Sequence, residues 1–383
     1  MAINHTANAT VQAAIEHAIA QQGEIGIQVA AYLKGELVID CWAGLADPTT
    51  RREVDADTLF NVFSVSKAVC STAIHIQAEH GRLDYDKPIA TYWPEFAQNG
   101  KADITVRDAL NHHTGTPQMP EGTTPETICD WDFMVREIAK LTPILPKDKP
   151  AYQSMSFGWV LGEIVRRTDP KHRDFNTFVQ EEICAPLGIT DLWLGIPDRV
   201  ESRVAKLIDT GSAANFPPDS YFVKSLPTNV ALAPPVFERP DVRRACIAAV
   251  GGIFNARSEA RLWAMLANGG ELDGVRILSK ARVDAACVPR ANNDDIDPVY
   301  FNAPMTLSQG GYWMHSPTMS FTAPAKGART ICVPGAGASL GWADPDTGLA
   351  VAYCHNHMIR PMKPEHNPLT EIADVIRSSL GLN

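Results

Sequence analysis

Apolar residues first recur at helical spacing: Val11, Ala14, Ile15 and Ile19 fall on one face, with Thr10 as a candidate cap and Gly23 as the stop. Residues 25–33 and 36–43 are then apolar-rich and meet at Lys34-Gly35, which predicts a β-hairpin. From about residue 65 to 210 helical periodicity dominates, broken at Gly81, at Gly115-Thr116-Pro117, at Pro120-Glu121-Gly122 and between Pro146 and Pro150. Strand-like runs return at 330–342 and 349–355 around the turn Asp344-Pro345-Asp346-Thr347-Gly348. A closing helix then aligns Leu369, Ile372, Val375, Ile376 and Leu380. Strand-rich ends around a helical middle predict an α+β fold. One lobe is built from residues 1–63 and 235–383, a mainly helical lobe from 64–234, and a cleft lies where they meet.

Charge and composition narrow the function. The 383 residues are 45% hydrophobic and carry a formal charge of −10. That is enough for a large packed interior, and it argues against nucleic acid as a partner, since phosphate binding needs clustered Lys and Arg. The first residues lack the charged and apolar regions of a signal peptide, and no apolar run approaches the ~20 residues of a membrane span. A cytoplasmic protein with no membrane partner is expected. The eight cysteines are scattered among apolar neighbours without a CxxC pair, so they read as buried thiols rather than disulfides or a metal site. Adjacent His112 and His113 have no ligand-spaced carboxylates beside them and are expected to be structural; no metal or other cofactor is predicted.

The chemistry centres on Phe63-Ser64-Val65-Ser66-Lys67. Val65, Ala68, Val69, Thr72 and Ile76 continue at helical spacing, so Ser64 and Lys67 share a face and can hydrogen-bond. A serine hydroxyl becomes a good nucleophile when a neighbour accepts its proton, and a lysine does this only where burial or a nearby cation lowers its pKa. Taken alone, Ser-x-x-Lys is a weak signal, because both residues are common and a serine cap followed by a solvated lysine is the plainer reading. A second motif changes that balance: Tyr152-Gln153-Ser154, directly before a helix with Phe157, Val160, Leu161, Ile164 and Val165.

The pair Ser64-x-x-Lys67 and Tyr152-x-Ser154 resembles the serine β-lactamase and penicillin-binding-protein superfamily, for which Ser-x-x-Lys is a known signature. The similarity is closest to class C β-lactamases and family VIII carboxylesterases, whose second motif begins with Tyr. Residues 104–115, Gly251-Gly252-Ile253-Phe254, Asn268-Gly269-Gly270 and 335–345 resemble the same family in the same order. The resemblance implies an antiparallel sheet flanked by helices, a helical lobe, and a site between them. It makes Ser64 the acylated nucleophile and gives Lys67 and Tyr152 the proton transfers, with Tyr152 either a phenolate base of lowered pKa or a relay to the leaving group. It places Ser154 where it orients Lys67 or substrate.

The third family motif, a Lys-Thr-Gly or His-x-Gly on the sheet edge, is replaced by Val333-Pro334-Gly335. A cation that would hold a substrate carboxylate is missing, although Lys326 and Arg329 lie just upstream. A neutral small-molecule ester is therefore expected in preference to a β-lactam or peptide. Gly335 permits close backbone approach, and the N–H of Ala336 is the candidate oxyanion donor beside Ser64. Gly337-Ala338-Ser339-Leu340-Gly341 also matches the nucleophile elbow of α/β-hydrolases. That elbow needs a strand-turn-helix followed by an acid and a His, and a hairpin is predicted there instead. Trp131, Phe133, Tyr312, Trp313 and Met314 are candidates for an apolar pocket wall. An amide hydrolase, an acyltransferase and a non-catalytic binding homologue remain open alternatives, as does the oligomeric state.

Overall fold

The computed structural model describes residues 3–211 and 216–382. Helix α1 (His5–Gln21) buries Ala7, Val11, Ile15 and Ala18, but it starts before Thr10. Asn4 caps it by accepting the Ala7 N–H, while Thr10 turns its hydroxyl back onto the Thr6 carbonyl. Strands β1 (Gly26–Leu33) and β2 (Glu36–Asp47) form the expected hairpin, with Lys34 and Gly35 at φ 52° and 83° in the tight turn. The short β3 (Arg52–Glu53) pairs with β2, and β4 (Phe60–Phe63) delivers the chain to the serine.

Helix α2 (Lys67–Glu79) follows, and the helical middle includes α3 (Ser156–Thr168), which packs on α2. Strands β5 (Leu192–Trp193) and β6 (Gly252–Phe254) join β4 in a small sheet of order β4-β6-β5. Helix α4 (Ala256–Ala267) comes next, then β7 (Trp313–Met314), β8 (Ile331–Pro334), β9 (Leu340–Asp344), β10 (Leu349–His355) and helix α5 (Pro368–Ser379). The run 330–342, read from sequence as one strand, is therefore two, reversed by the turn at 335–339.

The main sheet has seven strands in the order β7-β8-β9-β10-β1-β2-β3, every neighbour antiparallel, so strands from the two ends of the chain meet at β10 and β1. Helices cover both faces. Alternation along β10 shows it: Tyr353 and His355 hydrogen-bond Glu24, just past α1, while Cys354 between them points the other way to Glu259 of α4. A Cβ added at Gly341 would stand 1.8 Å from the Trp263 indole nitrogen, so α4 rides directly on the backbone of β9.

Helix α2 is buried on all sides from Lys67 to Ala78, more deeply than its one-sided apolar pattern predicts. The reason is that its polar side chains find partners inside. Ser71 donates to the Gly311 carbonyl, Thr72 meets the Tyr312 hydroxyl, His75 bridges Tyr85 and Gly310, and Gln77 donates to the Val165 carbonyl. Among the described residues the cysteines are free, no group of side chains has metal-ligand geometry, and no helix is long and apolar enough to cross a membrane.

Candidate active site

Ser64 does not open an α-helix directly. It begins a single 3-10 turn, Ser64–Ser66, which runs into α2. The residue before it, Phe63, sits at φ 49°, ψ −122°, a region that costs a non-glycine residue about 1–3 kcal/mol. Surroundings hold it there: the β4–β6 register slips between Asn61 and Phe63, the Phe63 ring packs edge-on against Phe237 at 5.2 Å, and the Phe63 carbonyl accepts the Ser66 hydroxyl. Ser66 Oγ in turn accepts the Gly252 N–H at 3.0 Å, tying the turn to β6. The chain thus arrives from a strand, bends sharply, and presents Ser64 at the start of a buried helix.

Lys67 Nζ is 3.0 Å from Ser64 Oγ and donates also to the carbonyls of Ser154 (2.7 Å) and Ala249 (3.2 Å). The side chain is 1% exposed, and no carboxylate is paired with it among the described residues. Burial without a counter-ion pushes its pKa from 10.5 down to about 7. Three acceptors fix the amine in place without adding charge, so it is oriented toward the serine and available in its neutral form.

Tyr152 has its ring centroid 5.2 Å from Lys67 Nζ. Burial raises its pKa to about 12, the interaction with the Ser64 hydroxyl pulls it down only in part, and the Asp297 charge adds to the rise. Burial outweighs the pull of the Ser64 hydroxyl, so the shift runs opposite to the one a phenolate base of lowered pKa needs. The loop carrying Tyr152 is gripped through its backbone. Asp297 accepts the Tyr152 N–H at 2.9 Å, His112 Nδ1 accepts the Gln153 N–H at 3.1 Å, and the Ser225 hydroxyl lies 3.0 Å from the Tyr152 carbonyl. Ser225 also accepts the Ser154 N–H and sits 2.8 Å from Ser154 Oγ. Ser154 therefore orients Lys67 through its carbonyl, not its hydroxyl.

His112 has the structural role expected of it. Its ring packs at 4.8 Å from Tyr152 and 4.6 Å from Phe157, and burial beside Lys67 holds its pKa well below the usual histidine value. Sequence reasoning missed Asp297, Ser225 and the Ala249 carbonyl.

The third wall is the turn after β8. A Cβ at Gly335 would stand 2.2 Å from the Val62 carbonyl oxygen, so glycine is what allows the turn to lie against the segment leading to Ser64. The next N–H, that of Ala336, has no acceptor among the described residues. Val333 corrects an expectation. It is fully buried opposite Gly341, not exposed on a cleft wall, and its bearing on the site is the lack of a cation. Lys326 pairs with Asp374, and Arg329 with Asp284 and Asp346, so neither replaces it.

The decoy motif resolves as predicted. Ser339 is buried in the β8–β9 turn with no His or carboxylate hydrogen-bonded to it among the described residues; His355 is held by Glu24 and His357 by Thr210 and Gly23. Of the candidate pocket residues, Trp313 borders Tyr152 at 5.8 Å. Tyr312 is core, and Trp131 lines a separate cavity of about 450 Å³ with Cys129, Phe175 and Cys246.

Comparison with known proteins bears on the family and the fold. The family profile described as Beta-lactamase matches residues 11–374. The chain is 32% identical over 367 residues to "Esterase/beta-lactamase LipL" of Mycobacterium tuberculosis, covering 92% of this chain and 82% of that protein. A penicillin-binding-protein homolog from Caulobacter crescentus superposes with a TM-score of 0.85 at 31% identity, covering 98% of this chain and 99% of the other. A family VIII carboxylesterase superposes with the same TM-score of 0.85 at 26% identity, covering 98% and 99%.

Proposed function

Because this chain belongs to the beta-lactamase family and is a serine hydrolase of that fold, we propose that it cleaves neutral carboxylic esters through an acyl-Ser64 intermediate. Neutral Lys67 Nζ takes the Ser64 proton as Oγ adds to the ester carbonyl. The backbone N–H groups of Ser64 and Ala336 stabilise the oxyanion. When the tetrahedral species collapses, the C–O bond to the alcohol breaks. Tyr152, still protonated, donates its proton to that leaving oxygen and is reprotonated by the Lys67 ammonium. Water then attacks the acyl-enzyme with the same groups in reverse, releasing the acid and free Ser64.

The observation that carries this reading is the position of Lys67: a buried amine with no paired carboxylate among the described residues stands 3.0 Å from the Ser64 hydroxyl, where it can act as a base. The preference for esters rests on the uncharged third strand, where Val333 stands and Lys326 and Arg329 are occupied at the surface. Ester cleavage is supported by a relative named as an esterase/beta-lactamase, a name that carries both activities, and by a family VIII carboxylesterase.

The test compares wild type, Ser64→Ala and Ser339→Ala on p-nitrophenyl acetate and a chromogenic cephalosporin. Activity is expected to vanish with Ser64→Ala and survive Ser339→Ala, with ester turnover far above cephalosporin turnover. Retained activity in Ser64→Ala refutes the nucleophile; comparable cephalosporin turnover refutes the ester preference.

A further inference from the structure

A chain of aromatic rings leads from Tyr152 to the surface. Tyr300 and Trp313 each stand 5.8 Å from the Tyr152 ring, edge-on at 75° and 80°, and 5.2 Å from each other. Tyr300 continues to Phe301 at 5.1 Å. Phe301, Phe222 and Phe216 then form a triangle with separations of 5.0, 4.5 and 5.4 Å. These rings come from three distant stretches of chain, so the cluster is made by the tertiary fold rather than by local periodicity.

A cluster that served only packing would be closed at its outer end. This one is open. Phe301 is 52% exposed and Ile296, on the same small hairpin, is 60% exposed; they are two of the five exposed large apolar residues among those described. The hairpin pairs Ile296–Asp297 with Ala303–Pro304, and its tip holds Phe301 and Asn302 at φ 56° and 54°, an unfavourable conformation for a Phe. Its base is fixed by Asp297, whose carboxylate accepts the N–H groups of Val299 and Tyr300 as well as that of Tyr152. One buried side chain thus locks the exposed hairpin to the loop carrying Tyr152.

A second observation is independent of exposure. The indole Nε1–H of Trp313, a residue only 3% exposed, has no hydrogen-bond acceptor among the described residues. A buried donor left unpaired is unfavourable, and an oxygen of a bound molecule would satisfy it.

Resting on the ester-hydrolase reading above, we propose that Trp313, Tyr300, Phe301, Phe222 and Phe216 form a subsite for an apolar, aryl-bearing arm of the ester, with Trp313 Nε1–H donating to a substrate oxygen. The arm lies along the ring edges and faces from Tyr152 outward, and Asp297 is a positioning residue that holds this wall in register with the reacting centre.

The experiment uses the Ser64→Ala chain, which binds without turnover, titrated with ethyl acetate and 4-phenylbutyl acetate and read by calorimetry. The phenylbutyl ester is expected to bind at least about tenfold more tightly than ethyl acetate. Adding Phe222→Ala and Phe301→Ala should erase that about tenfold advantage, weakening the phenylbutyl ester far more than ethyl acetate, in a chain whose circular-dichroism spectrum stays that of the folded protein. Trp313→Phe, which keeps an aromatic ring and loses the donor, should weaken binding about fivefold. Equal affinity for the two esters, or equal losses for both in the wall variants, overturns the subsite. Kinetics on the Ser64 enzyme separate the two proposals. Turnover of both esters without discrimination sinks the subsite alone. Discriminating binding with no turnover of either ester sinks the hydrolase reading and leaves the subsite standing.

Discussion

If Lys67 is the base, the pH–rate profile should carry its signature. In water at pH 7 a lysine of pKa 10.5 is neutral in only about one molecule in three thousand, whereas at a pKa of about 7 about half is neutral. That displacement amounts to about 5 kcal/mol of preference for the uncharged amine, generated by burial with no anion within reach. The acid limb of kcat/KM for p-nitrophenyl acetate, which reports the free enzyme, should therefore rise through a midpoint near pH 7. Near pH 6 the rate should be about a tenth of its plateau, and by pH 8 close to all of it. Lys67→Arg keeps a cation that never deprotonates and should lower kcat by about 10²–10⁴ across the range. Tyr152→Phe removes the proton relay and should lower kcat by about 10² or more, yet leave the midpoint of the limb where it is, because a hydroxyl with a pKa of about 12 does not titrate there. Stopped-flow release of p-nitrophenol between pH 5 and 10 measures all three. A limb above pH 9, or a limb near 7 that disappears in Tyr152→Phe, would refute the assignment of the base.

The same buried amine predicts how stability responds to pH. Its folded-state pKa of about 7 lies below the unfolded value, so between pH 7 and 10.5 the unfolded chain binds more protons; the penalty is full below pH 7 and fades as pH rises through that window. The stability of Lys67→Met relative to wild type, measured by urea unfolding, should accordingly fall by up to about 5 kcal/mol from pH 7 to 10.5, and a flat difference would contradict the burial argument. Gly335→Ala places a Cβ 2.2 Å from the Val62 carbonyl oxygen, so the turn must move and carry the Ala336 N–H with it. A loss of about 10²–10³ in kcat is expected, and an unchanged kcat with an unchanged fold by circular dichroism would exclude Ala336 as an oxyanion donor.

Which parts of this site are legible in the sequence follows from what kind of atom does the work. Ser64 and Lys67 are three residues apart, and local geometry alone brings them together whether the first turn is 3-10 or α. Tyr152 was legible through its motif, and Gly335 through the backbone contact that only glycine permits. The rest acts through main-chain groups or through burial, neither of which leaves a residue-type signature. The carbonyls of Ser154 and Ala249 hold Lys67 whatever side chains those positions carry. Asp297 and Ser225 act on the Tyr152 loop from distances of 145 and 73 residues along the chain, so no spacing rule links them to it. Val333 was identified by type but not by direction: a strand pattern that is apolar at every position, as Ile331–Pro334 is, does not say which side chain faces the site. The uniform burial of α2 was hidden for a related reason, since Ser71, His75 and Gln77 look like a solvent face until the carbonyls and hydroxyls that accept and donate to them arrive from elsewhere. The charge state of the site depends on this enclosure. A lysine three residues after a serine is ordinary; one enclosed on every side, supplied with two carbonyls and denied a carboxylate, loses its proton near neutral pH, and only the assembled fold provides that environment.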